Sequence, residues 1–366
     1  MRAIARGIAI AATCYAVVAG GGSPGSSSDY EWHLPPGFPP PLVPADNPMS
    51  KAKVALGCRL FFEPRLSVSG THSCASCHHP ELAFTDGRDR SIGATGATTS
   101  RGSMTLANAA YTPAYTWASD RFITLEAQME QPLFNEHPIE MGSRRGDTAA
   151  IVALARDSEY AQAFRASFPD ETAPGTMRNV IKAIAAFERT LISGRSPFDR
   201  YVYDDDRAAL SATAKRGMEL FFSDRVGCAR CHSGVNFSGP VVHRSAPKQQ
   251  AAFANNGAYA TDDADRGLED VTGRARDLGR FRVPTLRNVE LTAPYMHDGR
   301  LATLEAVIDH YAAGGQRSDQ STNTLVDPTL RRLDLTVEEK QALIEFLRSL
   351  TDRDFVRRDY AGTCGG

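Results

Sequence analysis

Apolar residues recur at helical spacing in a series of short stretches, separated by long Gly- and Pro-rich segments. Residues 49–62 place Val54, Ala55, Cys58, Phe61 and Phe62 on one face, which predicts a helix. The spacing predicts further helices over 124–131, 151–164 and 180–192, the last with the buried stripe Ile181, Ile184, Phe187, Leu191 and Ile192. Two more follow at 212–222 and 303–313, the second stopped by Gly314 and Gly315. Thr336 and Glu339 form a capping box for a final helix whose apolar face is Leu343, Phe346, Leu347 and Leu350. The pattern therefore describes a mainly α protein.

The intervening segments divide the chain. Gly20 to Ser28 is a Gly/Ser tether, and Pro35 to Pro48 is a Pro-rich arm that favours extended, polyproline-like chain. Residues 193–206 are polar, with Gly, Pro and an acidic run, and mark a boundary. A Gly/Asp-rich loop spans 255–279. The expected organisation is an arm over 20–48, one domain over 49–196 and a second over 197–366. Gly57, Leu60, Phe61, Phe62 and Arg65 of the first match Gly217, Leu220, Phe221, Phe222 and Arg225 of the second, so the halves derive from one duplicated unit.

Each copy of that pattern leads into a C-x-x-C-H run, Cys74-Ala75-Ser76-Cys77-His78 and Cys228-Ala229-Arg230-Cys231-His232. Two thiols at this spacing add to the vinyl groups of one haem, and the next residue ligates the iron. The rival readings are a redox dithiol and half of a zinc site. A histidine directly after both pairs, and the lack of a further Cys/His pair at zinc-knuckle spacing, favour two haem c groups. The fold expected is two cytochrome c-like helical haem domains in tandem.

Composition adds two constraints. The 366 residues are 42% hydrophobic and 23% charged with a formal net charge of -2, so neither nucleic acid nor an anionic membrane is an indicated partner. Residues 1–19 read as a signal peptide: Arg2 and Arg6, the apolar run Gly7 to Val18, and a cleavage site at Val17-Val18-Ala19. The run is too short to span a bilayer. Cys14 offers a lipid anchor as the lesser alternative. Covalent haem attachment in bacteria takes place outside the cytoplasm, so the expected location is the periplasm. Of seven cysteines, four belong to the haem motifs and one to the signal. Cys58 and Cys364 remain, and an oxidising compartment permits them to pair.

The sixth coordination position of each iron decides its chemistry. For the second haem the candidates are Tyr295, Met296, His297, His310 and Tyr311; Tyr311 shares the apolar face of its helix with Leu304, Val307 and Ile308, whereas His310 is turned partly away. For the first haem, no histidine lies between His79 and His137, which implies an open iron able to bind peroxide beneath an acid-base group. Gln128, Glu140 and His137 are the candidates, against the alternative of a solvated helix-and-turn surface.

At these residues the chain resembles the di-haem bacterial cytochrome c peroxidase and MauG family over nearly its whole mature length. Both haem motifs, Phe281 to Asn288 (FRVPTLRN), Leu291 to Gly299 (LTAPYMHDG) and the segment Gln128 to Glu140 carry the likeness. The arm from Trp32 to Phe38 and from Pro44 to Ser50 is similar to the methanobactin-associated branch. The resemblance implies that His78 and His232 are proximal ligands and that Tyr311 is the axial ligand of the second iron, where the peroxidases place methionine. It implies that Trp117 couples the haems, that Gln128 and Glu140 form the peroxide-side pair, and that Asn108 with the carbonyls of Thr292 and Pro294 holds an inter-haem calcium ion. Three departures stand out. Two extra residues separate Gln128 from Glu140, the distal histidine of many peroxidases is missing, and Val226 stands where the MauG branch has a surface tryptophan.

The function so implied is a periplasmic oxidase that uses hydrogen peroxide to reach a bis-ferryl state. That state oxidises a residue of a partner protein by long-range electron transfer, in the methanobactin-associated branch a tryptophan of a copper-binding partner, converted to kynurenine. The alternatives are a peroxidase fed by a small cytochrome or cupredoxin, and a non-enzymatic di-haem electron carrier.

Overall fold

The computed structural model describes residues 30–143, 148–258, 265–315 and 325–364. The signal-like segment with Cys14, and the Gly/Ser tether, lie outside the described residues. Helices carry the fold: α1 (Lys51–Phe61), α2 (Leu125–Phe134), α3 (Thr148–Arg156), α4 (Ser158–Ser167), α5 (Met177–Glu188), α6 (Pro197–Tyr203) and α7 (Ala212–Phe221). They continue as α8 (Glu269–Thr272), α9 (Leu304–Ala312), α10 (Val337–Arg348), α11 (Arg353–Arg357) and α12 (Tyr360–Thr363). A small antiparallel pair, β1 (Phe253–Ala254) and β2 (Phe281–Arg282), aligns Phe253 with Arg282 and Ala254 with Phe281.

Three helix expectations need correction. The 151–164 stretch is two helices, because the Asp157 carboxylate caps the backbone N–H groups of Glu159 and Tyr160 and starts α4 afresh. Cys58 and Phe61 of the expected α1 face are buried, but together with Leu56, Gly57 and Leu60, while Val54, Ala55 and Phe62 are half-buried. The expected final helix, α10, has its Thr336–Glu339 capping box, but α11 and α12 follow it.

Gly57 explains the shifted face of α1. A Cβ there would lie 1.9 Å from the Ala183 carbonyl oxygen of α5, so the helices cross backbone to backbone at that point. The second half repeats the crossing, with a Cβ on Gly217 of α7 falling 1.8 Å from the Ala342 carbonyl oxygen of α10. Around the crossings lie two cores, one with Leu56, Leu60, Phe61, Ile184 and Phe187, the other with Phe198, Leu220, Phe221, Leu343 and Phe346. Gly217→Ala is expected to lower stability by about 1–3 kcal/mol, the usual cost of overpacking, because the opposing atom is backbone and cannot swing aside. A chemical denaturation midpoint equal to that of the unsubstituted protein would refute the close crossing.

Two segments tie the halves together. In the arm, Phe38 is buried against Tyr111 of the first half and lies 4.8 Å beneath the guanidinium of Arg287 in the second. The Tyr111 hydroxyl donates to the Pro39 carbonyl (2.8 Å), and Asn47 donates to Glu126 (2.6 Å) and to the Lys182 carbonyl (2.9 Å). Arg287 itself is buried, doubly hydrogen-bonded to Asp199 at 2.8 and 3.0 Å, a pairing that a buried charge requires. The second tie is the C-terminus: Phe355 and Tyr360 pack on Phe84 of the first core, and Cys364 is disulfide-bonded to Cys58. Cys364→Ser is expected to cost about 2–4 kcal/mol, the typical worth of a disulfide. Equal denaturation midpoints for the variant and the unsubstituted protein would show that the bridge contributes nothing.

Candidate active site

The two C-x-x-C-H runs are presented in the same way. Each begins as a single 3-10 turn, Cys74–Ser76 and Cys228–Arg230, which brings both thiols to one side. His78 Nδ1 meets the Phe84 carbonyl at 2.8 Å and His232 Nδ1 meets the Phe237 carbonyl at 2.9 Å. Those carbonyls point inward because Phe84 and Phe237 both adopt left-handed backbone, φ 63° and 50°. A ring nitrogen bonded to a carbonyl carries the proton, so each histidine keeps its Nε2 lone pair for a metal. Burial lowers the pKa of both imidazoles and holds them neutral.

The thiols fit thioether formation better than redox or zinc chemistry. Burial pushes Cys77 and Cys228 up to about 11, and Cys74 further, so none is a thiolate at neutral pH. Among the described residues, no three His, Cys, Asp or Glu side chains converge to cage a metal ion. Deep as they lie, the cysteines and proximal histidines each keep part of their surface accessible, as a planar group lying against them requires. In the second half the accessible side is a continuous cavity whose wall includes Cys228, Cys231, His232, Leu286, Met296 and Tyr311. Arg282, buried in the same wall, donates to the Thr116 carbonyl (3.2 Å) and to Met104 Sδ (3.1 Å) and pairs with no carboxylate among the described residues. A haem propionate would supply that charge, so the residues present fit haem c.

Around the first motif, the loop after Cys77 brings Glu140 close. Cys77 Sγ lies 4.0 Å from the Ile92 carbonyl, a Cβ on Gly93 would meet the Ile139 carbonyl at 2.0 Å, and Ala94 N donates to the Glu140 carbonyl at 2.7 Å. Met141 N donates to the carbonyl of Pro132 in α2, four residues beyond Gln128, which joins both halves of the expected pair into one unit. Burial raises the Glu140 carboxyl above the usual range. His137 is exposed.

Trp117 sits at the seam. Its ring lines the cavity of the second half, its Nε1 donates to the Gly102 carbonyl (2.9 Å), and its own carbonyl accepts from Arg282 N (2.7 Å). The neighbouring Ser103 donates to the Cys77 carbonyl (2.7 Å) and lies 3.2 Å from His78 Nδ1. A short chain of contacts therefore runs from the first proximal histidine to Trp117.

The candidates for the second sixth position separate. The Tyr295 hydroxyl donates to the Val289 carbonyl (3.1 Å), His297 stacks on Phe281 with ring centres 3.6 Å apart, and His310 Nε2 meets the Asn256 carbonyl (2.9 Å). Tyr311 and Met296 line the cavity, as do Tyr295 and His297, whose hydroxyl and ring are already engaged, while His310 does not. The cavity wall also includes Ala107, Thr292 and Pro294, while both atoms of the Asn108 amide bond the backbone of Ser193 at 2.9 Å.

A second repeat escaped the reading of the sequence. Thr105-Leu106-Ala107-Asn108 and Thr285-Leu286-Arg287-Asn288 end on left-handed asparagines, φ 61° and 60°. Each threonine hydroxyl donates to a carbonyl in the loop after its own proximal histidine, Ala83 and Asn236. The Thr-Leu-x-Asn identity was the available signal.

Residues 51–207 match the family model described as di-haem cytochrome c peroxidase. A methylamine utilization protein MauG of Methylorubrum extorquens is 36% identical over 84% of this chain and 80% of its own length. The chain belongs to the di-haem cytochrome c peroxidase and MauG family. A cytochrome c peroxidase of Denitromonas iodatirespirans is likewise 36% identical, over 96% of this chain and 93% of the relative. Among solved structures, a MauG-like protein associated with microbial copper homeostasis superposes with a TM-score of 0.87 at 40% identity, covering 91% of this chain and 98% of that one. The protein is thus a mainly helical di-haem c oxidoreductase acting with peroxide, and both peroxidases and MauG proteins are among its relatives. Among the described residues no helix is long and apolar enough to cross a membrane.

Proposed function

We propose that the chain is a periplasmic oxidase that uses hydrogen peroxide to oxidise a tryptophan of a copper-binding partner protein to kynurenine, by electron transfer over a distance. The observation that carries this reading is the tyrosine at the second site: Tyr311, in the wall shared with His232, offers a hard oxygen donor that favours high oxidation states. Haem c at both motifs supplies the peroxide-driven oxidation. Cys74, Cys77, Cys228 and Cys231 tether it, and His78 and His232 ligate from the side their Nδ1 hydrogen bonds fix.

Glu140 takes the proton from peroxide's inner oxygen and returns it to the outer one, with Gln128 orienting the incoming molecule. Trp117 carries electrons across the seam. Calcium belongs to the proposal through the Thr292 and Pro294 carbonyls and the second lone pair of Asn108 Oδ1. The copper-binding partner is supported by the solved relative tied to copper homeostasis, and the periplasm by covalent haem attachment.

The test is mass spectrometry of the copper-binding partner after peroxide is added to the mixture. Conversion of a partner tryptophan is expected. An unmodified partner beside rapid oxidation of a small cytochrome would make the chain a peroxidase. That second reading draws on Met296, whose sulfur faces the same cavity as Tyr311 and is the softer donor the peroxidases use.

A further inference from the structure

Tyr311 and Met296 are held by one side chain. The Asn256 amide nitrogen donates to the Tyr311 hydroxyl oxygen at 3.3 Å and to Met296 Sδ at 3.1 Å. Its own position is fixed twice over. Asn256 Oδ1 accepts from Ala258 N (3.1 Å), and the Asn256 carbonyl meets Nε2 of His310, the residue preceding Tyr311, at 2.9 Å. A Cβ on Gly315 would fall 2.9 Å from that carbonyl, so the turn after α9 closes directly on Asn256. Two successive residues of α9 are thereby clamped to one asparagine.

Met296 adds an independent sign. Its backbone is left-handed, φ 75°, a conformation that costs an unbranched non-glycine residue roughly 1 kcal/mol. Such outliers persist where the surroundings over-determine them and point to function. Here the conformation turns a thioether into the cavity of the second site beside the tyrosine. A sulfur there has two uses, as an iron ligand or as a hydrogen-bond acceptor, and the bond from Asn256 occupies it in the second.

We propose that Asn256 is a positioning residue that selects the ligand of the second haem, orienting the Tyr311 oxygen towards the iron while holding Met296 off it. The proposal deepens the oxidase reading and rests on Tyr311 as ligand. It also gives Met296 a role, as the alternative ligand released when the amide is lost. An amide can serve both partners because its nitrogen has two N–H groups; a carboxylate of the same shape has none.

The experiment compares the ferric holoprotein with the Asn256→Asp, Asn256→Ala, Asn256→Asp/Met296→Leu and Tyr311→Phe variants, each first checked for two covalent haems. The readouts are resonance Raman bands of a phenolate ligand, the near-infrared sulfur-to-iron charge-transfer band and low-temperature EPR. In Asn256→Asp the phenolate bands are expected to fall and the sulfur band to appear in the same fraction of molecules. The double variant should lose the sulfur band, which misfolding could not imitate. Asn256→Ala repeats the test without adding a charge and covers a failure of the aspartate variant to load haem. Unchanged spectra in both single Asn256 variants, with a changed spectrum in Tyr311→Phe, would overturn the selection role and leave the oxidase reading standing. An unchanged Tyr311→Phe spectrum would overturn both.

Discussion

Glu140→Gln is expected to slow the reaction of the ferric protein with peroxide by roughly a hundredfold or more, the usual scale of an acid-base contribution. The substitution keeps the shape of the side chain and removes its ability to cycle a proton. Three contacts place residue 140 beside the first haem motif, Cys77 with Ile92, Gly93 with Ile139 and Ala94 with Glu140, and a fourth, Met141 with Pro132, ties it to α2. The pH profile gives a second check. Burial raises the Glu140 pKa, so its proton-accepting form is lost on acidification at a pH above the ordinary carboxyl range. The peroxide rate should therefore fall as pH drops through that raised value, and Glu140→Gln should flatten the limb. Stopped-flow rates across pH decide it. An unchanged rate would move the proton transfer to His137, exposed as that ring is.

Tyr311→Phe is expected to abolish oxidation of the protein substrate while leaving peroxide reaction at the first half unchanged. The variant removes one oxygen from the cavity of the second site and preserves the ring that packs there, so the helix and both haem attachments should survive. A phenolate oxygen there would stabilise high oxidation states, and without it the second site would be a poorer electron donor to Trp117. Partner mass spectrometry and peroxide consumption, measured on one preparation, separate the two effects. Retained partner oxidation would show that Tyr311 is dispensable and return the ligand question to Met296. His297 is a poor substitute, since its ring is stacked on Phe281 with centres 3.6 Å apart.

The helices were legible where local signals agree with packing. The Thr336–Glu339 capping box, the Gly314–Gly315 stop and the pre-haem repeat all have counterparts in the structure because each is a short-range device. The 151–164 stretch misled because apolar periodicity continues across Asp157, and only the cap reveals the break. The face of α1 was misjudged because Gly57, which contributes no side chain to a periodicity count, is the point of closest approach. In the site, the C-x-x-C-H runs announced themselves by spacing. Ser103 and Asn256 did not, since a serine and an asparagine in loops carry no periodic signature and act only through partners far away in sequence. The C-terminal return to the first core was foreshadowed solely by the leftover pair Cys58 and Cys364.

That return sets an order of events. Phe355 and Tyr360 lie far downstream of Phe84 in the chain, yet they finish the core around it, beside the first haem motif. In a chain threaded out amino end first, Cys74, Cys77 and His78 emerge long before the wall behind them exists. A nonsense mutation at Phe355 would consequently injure the half of the molecule that the chain built first.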